Sequence, residues 1–60
     1  MLYLKAVTKE GNTEYFNTQN ILNITKRANG YYKILMGGGL FWDIKPETVD
    51  YVELKDIFKE

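Results

Sequence analysis

Cysteine and histidine do not occur in this 60-residue chain, and proline occurs once. Without cysteine there are no disulfides and no thiolate zinc sites. Without histidine the commonest metal ligand and the commonest general base are missing as well. Apolar runs long enough to cross a bilayer, about 18 residues or more, are absent, and Met1-Leu2-Tyr3-Leu4-Lys5 is too short and too mixed for a signal peptide. An excess of either charge is lacking too: Lys+Arg and Asp+Glu number 8 each, so no global field draws in a polyanion. These absences predict one small β domain over 1–60 that is cytoplasmic and held together by packing alone. A two-domain enzyme with a deep cleft is excluded by size.

What the chain does have is concentrated between Ile21 and Met36. Two apolar-rich segments meet there at Ala28-Asn29-Gly30, a strong hairpin signal. The register follows from side-chain chemistry. A two-residue Asn29-Gly30 loop would set Lys26 opposite Lys33, a like-charge pair that destabilises a ladder. A three-residue loop with Gly30 left-handed sets Ile24 opposite Ile34 and Leu22 opposite Met36 instead, and is the register expected. Leu22, Ile24, Tyr32, Ile34 and Met36 then face a core, while Asn23, Thr25, Arg27, Tyr31, Lys33 and Leu35 face outward.

Leu2 to Thr8 reads as a first strand with Leu4, Ala6 and Thr8 on one face, and Glu14-Tyr15-Phe16 as a second with Phe16 inward. Asn17-Thr18-Gln19-Asn20 has the local side-chain chemistry of a turn. Gly37-Gly38-Gly39 reads as a hairpin turn, since the Gly-Lys-Ser/Thr of a phosphate loop does not follow it. Leu40 to Ile44 is a further strand with Trp42 and Ile44 on one face. The stretch from Lys45 to Phe58 admits either a helix over 47–58 or a strand from Val49 to Leu54 with a final helical turn.

An internal repeat at an offset of 28 residues favours the strand. Sliding the chain along itself superposes Tyr3 on Tyr31, Lys5 on Lys33, Ala6 on Ile34, Gly11 on Gly39, Phe16 on Ile44 and Ile24 on Val52. The expected fold class is therefore all-β and mainly antiparallel, as a small six-stranded barrel or two three-stranded meanders with a short C-terminal helical turn. The alternative is α+β with a helix over 47–58. The expected core is Leu4, Ala6, Phe16, Leu22, Ile24, Tyr32, Ile34, Met36, Trp42, Ile44, Val52 and Leu54.

Chemistry finds little to work with. Asp43 lies between Trp42 and Ile44, so alternation points it outward to solvent. Asp50, Glu53 and Asp56 lack the spacing of a calcium loop. No enzyme activity, no cofactor and no metal are expected. The outward cluster is the candidate binding face: Arg27, Tyr31 and Lys33 on the hairpin, with Tyr3 and Lys5 at the repeat-related positions. Tyrosine beside arginine marks protein–protein hot spots, and the same mixture serves single-stranded nucleic acids. Zero net charge favours a protein partner or a second copy of the chain, with nucleic acid as the alternative and no membrane partner. Leu35 and Phe41, outward by alternation, add apolar surface that self-association would cover.

The stretch from Gly11 to Ile34, with its N-x-x-N-I-L-N-I-x-K core, resembles the opening strands of LytTR-type DNA-binding domains and of short flagellar FlbD-type proteins. The likeness covers less than half the chain and lies in β patterning. The later, base-reading part of a LytTR domain has no counterpart here, so no residue role carries over. The frequent Tyr, Lys, Asn and Ile are what an AT-rich coding sequence yields, as expected of a low-GC bacterium or its phage.

Overall fold

Glycine sets the hairpins of this molecule. In the computed structural model, which describes residues 1–58, three hairpins are closed by the same pair of backbone hydrogen bonds. Thr8, Arg27 and Met36 each accept from the glycine three positions on (Gly11, Gly30, Gly39) and donate to the residue four positions on (Asn12, Tyr31, Leu40). Each of these glycines is left-handed, with φ of 93°, 94° and 87°, a conformation that costs a residue with a Cβ.

Between the turns run six strands: β1 (Leu2–Val7), β2 (Thr13–Asn17), β3 (Ile21–Lys26), β4 (Tyr32–Met36), β5 (Phe41–Ile44) and β6 (Asp50–Glu53). They form two three-stranded antiparallel sheets, ordered β2-β1-β6 and β3-β4-β5. The second sheet is a sequential meander. In the first, the last strand returns to pair with β1, so each half of the chain gives its third strand to the other half's hairpin. The sheets do not close into a barrel. They meet along one seam, where Thr8 bridges Ile44, the Lys9 amide donates to the Asp43 carbonyl (2.8 Å) and the Lys45 amide donates to the Val7 carbonyl (2.9 Å).

The 28-residue repeat is visible in the elements. Short 3₁₀ turns occupy Thr18–Asn20 and Pro46–Thr48, 28 positions apart, and each leads into an edge strand. The first is capped by the Asn17 side chain, which accepts from the Gln19 amide at 3.0 Å. The second is tied down by Thr48, whose Oγ1 accepts from the Val7 amide (2.9 Å) and donates to the Lys45 carbonyl (2.6 Å). Val49 to Leu54 is thus extended over Asp50–Glu53 and not helical over 47–58. A single helical turn, α1 (Leu54–Ile57), follows.

One cluster fills the space between the sheets: Leu4, Ala6 and Phe16 from the first, Ile34, Met36 and Ile44 from the second. Ile21, Tyr32 and Trp42 pack on its rim, with the Phe16 and Trp42 rings edge to face at 5.4 Å. Thr8 is buried beside them, and its Oγ1 accepts from the Asn12 amide at 3.2 Å.

Three expected core residues lie elsewhere. The hairpin register is the expected one at Ile24 opposite Ile34, but a shift between Ile21 and Asn23 puts Ile21, not Leu22, opposite Met36. The cause is local: the Asn20 carbonyl accepts from the Gly37 amide at 2.9 Å and anchors the start of β3, leaving Leu22 as the extra residue. Ile24 does share the inner face with Ile34, yet β3 is an edge strand and the other sheet does not cover it. Ile24 stays 47% exposed and Leu22 66%. Leu54, expected to be buried on a strand, opens the helical turn and is exposed.

Candidate functional site

Alternation about β4 decides what the second sheet shows to solvent. Lys33 stands between Thr25 and Asp43, and Leu35 between Asn23 and Phe41, all on the face turned away from the core. Arg27 and Tyr31 close the hairpin at one end of that face, through the Arg27 amide to the Tyr31 carbonyl at 2.8 Å. Arg27, Tyr31 and Lys33 are therefore brought together, as the sequence leads one to expect.

Tyr3 and Lys5 are not part of this group. They occupy the outward positions of β1 in the other sheet, Tyr3 between Asn17 and Val52 and Lys5 between Tyr15 and Asp50. Because the sheets pack inner face to inner face, the five residues split into two separate surfaces related by the repeat.

Within the hairpin group the cations are already engaged. Arg27 Nε lies 2.6 Å from Asp43 Oδ1, a charge-assisted hydrogen bond whose carboxylate is largely shielded from solvent. Lys33 Nζ sits over the Phe41 ring at 5.4 Å, and Lys9 Nζ approaches the Tyr31 ring at 6.0 Å. Phe41 is 55% exposed and is the largest apolar side chain on the face. Next to Tyr31, a shallow open depression of about 270 Å³ is lined by Asn29, Gly30, Tyr31, Lys45, Pro46 and Glu47.

Sequence reasoning missed two members of this site. Asp43 does face outward, as alternation requires, but it holds Arg27 and is no freely solvated carboxylate. Alternation puts Asp43 on the outward face, but its place beside Lys33 on the arginine's side of the sheet exists only once β5 has docked against β4. Lys9 comes from the first hairpin, across the Thr8–Ile44 seam, and nothing local in the sequence announces that contact.

Among the described residues no group of three or more Asp and Glu side chains is gathered that could hold a metal ion, and no helix is long and apolar enough to cross a membrane. No family model, no curated protein and no solved structure matches the chain.

Proposed function

We propose that this chain is a non-enzymatic, cytoplasmic binding module that engages a protein partner through the outward face of the second sheet. Phe41 and Leu35 form the apolar part of the contact, with Arg27, Tyr31 and Lys33 around them. The observation that carries the proposal is the Arg27–Asp43 pair. It neutralises the one guanidinium of the cluster within the fold and leaves an exposed aromatic ring flanked by Leu35, Tyr31 and two lysines, an aromatic-centred composition that suits a protein hot spot. A polyanion site would instead keep its cations free for phosphate.

Nucleic acid remains the alternative because Lys9 and Lys33 each stand beside an aromatic ring, the pairing on which bases stack. A photo-crosslinking phenylalanine analogue at position 41 separates the two in cells of the source organism. The protein reading predicts a discrete protein adduct that disappears with Lys33→Glu. Adducts that consist of nucleic acid would overturn it.

A further inference from the structure

Four strands lie at sheet edges, and they are not equally protected. β2 carries Glu14, β5 carries Asp43 and has its end occupied by the Thr8 bridge, and β6 carries Asp50 and Glu53. β3 has no acidic residue, no proline, and a single charge at its last position, Lys26. It is also one of the two longest strands, and it exposes two aliphatic side chains, Leu22 and Ile24. Charges, prolines and bulges are the usual means of blunting an edge; β3 has its bulge at Leu22 and its charge at Lys26, both towards its ends, which leaves Asn23, Ile24 and Thr25 as an uncharged, regularly paired stretch of open edge.

The phase of its hydrogen bonds follows from the hairpin closure. Arg27 and Tyr31 form a hydrogen-bonded pair, so Thr25 with Lys33 and Asn23 with Leu35 are the next such pairs along the ladder. The amides and carbonyls of Ile24 and Lys26 therefore point away from β4, into solvent; the alternation stops short of Leu22, which lies in the bulge.

We propose that β3 pairs antiparallel with β3 of a second copy of this chain, joining two three-stranded sheets into one of six strands, with Ile24 on the two-fold axis. In that register Ile24 faces Ile24 of the other copy, Leu22 faces the aliphatic stem of Lys26, and Asn23 faces Thr25. Ile24 exchanges both of its outward bonds with its counterpart, Lys26 turns its own toward the partner strand, and apolar groups meet on one face and polar groups on the other. No like charges meet: Lys26, the strand's one charge, falls opposite Leu22. A foreign strand would have to supply this pattern by chance, whereas a second copy carries it by construction. The contact is isologous, so it consumes both open edges and stops at a dimer. Its area is that of one strand pair, at the small end of the range for specific interfaces, so the dimer forms with rising concentration and is not obligate. The surface is distinct from the outward face proposed to bind a protein partner, and either can fail without the other.

Sedimentation velocity of the full chain over a concentration series, together with cysteine cross-linking, tests the proposal. The chain is expected to pass from monomer to dimer. Ile24→Lys, which would set two lysines face to face, should weaken dimerisation by about tenfold or more, or about 1.4 kcal/mol, while Tyr15→Lys on the β2 edge leaves it unchanged. The chain has no cysteine, so Ile24→Cys introduces the only thiol. Opposed residues of a hydrogen-bonded pair have Cα atoms about 5.5 Å apart, within the roughly 4.4–6.8 Å that a disulfide spans. Mild oxidation should therefore link Ile24→Cys chains in pairs far faster than Tyr15→Cys chains, a readout that stands even if the lysine variant fails to fold. A chain that stays monomeric to about 1 mM, a dimer indifferent to Ile24→Lys, or equal cross-linking at the two positions would each overturn the proposal. The first of these would leave the edge to a strand of another protein.

Discussion

Asp43 and Ile34 illustrate how differently single residues matter here. Ile34 is fully buried at the centre of the second sheet, so truncating it opens a cavity in the core. Ile34→Ala should cost about 2–5 kcal/mol, enough to unfold most of a domain this small, as urea denaturation would show. Asp43 contributes less to stability and more to chemistry. Its pairing with Arg27 is partly shielded, so Asp43→Asn should lower stability by only about 1 kcal/mol in the same assay. The variant has a second, more informative consequence. It frees Arg27 beside Tyr31 and Lys33, and should give the face a salt-sensitive affinity for single-stranded oligonucleotides that exceeds any the parent chain has. A variant that binds them no better than the parent would mean that the ion pair is not what keeps polyanions off this face. That Asp43 would face outward was legible from strand alternation; that it would find Arg27 was not, because the two are 16 positions apart and meet only when β5 docks beside β4.

At the scale of elements, turn chemistry explains most of what could be read ahead. Gly30 was recognisable because a two-residue loop would have opposed Lys26 and Lys33, so charge repulsion selected the longer turn. The same bond pattern at Gly11 and Gly39 follows the 28-residue repeat. Gly11→Ala and Gly39→Ala should each destabilise the fold by about 1 kcal/mol or somewhat more, by similar amounts, since each forces a side chain into the left-handed region. Thermal denaturation of the two variants checks both the size and the equality. The 3₁₀ turn before β6 depends on a different device. Thr48→Val removes the hydroxyl that accepts from the Val7 amide and leaves that donor without its partner, which should cost about 1–3 kcal/mol; Thr48→Ser should recover most of it. What alternation could not supply was coverage. It assigns Ile24 and Leu22 to a face, and Ile24 indeed lies on that face. Whether anything lies over them depends on the width of the opposing sheet, which is a property of the assembled pair of sheets and not of β3.

For the whole molecule, the exchange of third strands is the feature with the widest consequence. β3 belongs to the first half in sequence and to the second sheet in space, and β6 the reverse. Neither half can complete a sheet alone, so peptides cut between Asn29 and Gly30 should each be unstructured by circular dichroism and should regain strand signal on mixing. Two halves that fold separately would show that the sheets are independent units. The repeat made the element order readable from the sequence, but not this exchange, because hydrophobic patterning says which face a strand buries and nothing about which neighbour it takes. The outward face of the second sheet is assembled from β3, β4 and β5, one strand from the first half of the chain and two from the second, and the proposed function depends on that face. With Arg27 held by Asp43 and Phe41 exposed at its middle, this face suits a protein and not a phosphate backbone. The decisive experiment is a series of amide NMR spectra of the labelled chain, titrated with mixed-sequence single- and double-stranded oligonucleotides at low and then physiological salt. A protein-binding face should show no salt-sensitive shifts at Arg27, Tyr31 and Lys33. Shifts concentrated at those three residues that fade as salt rises would contradict that reading and make the sheet a nucleic-acid surface.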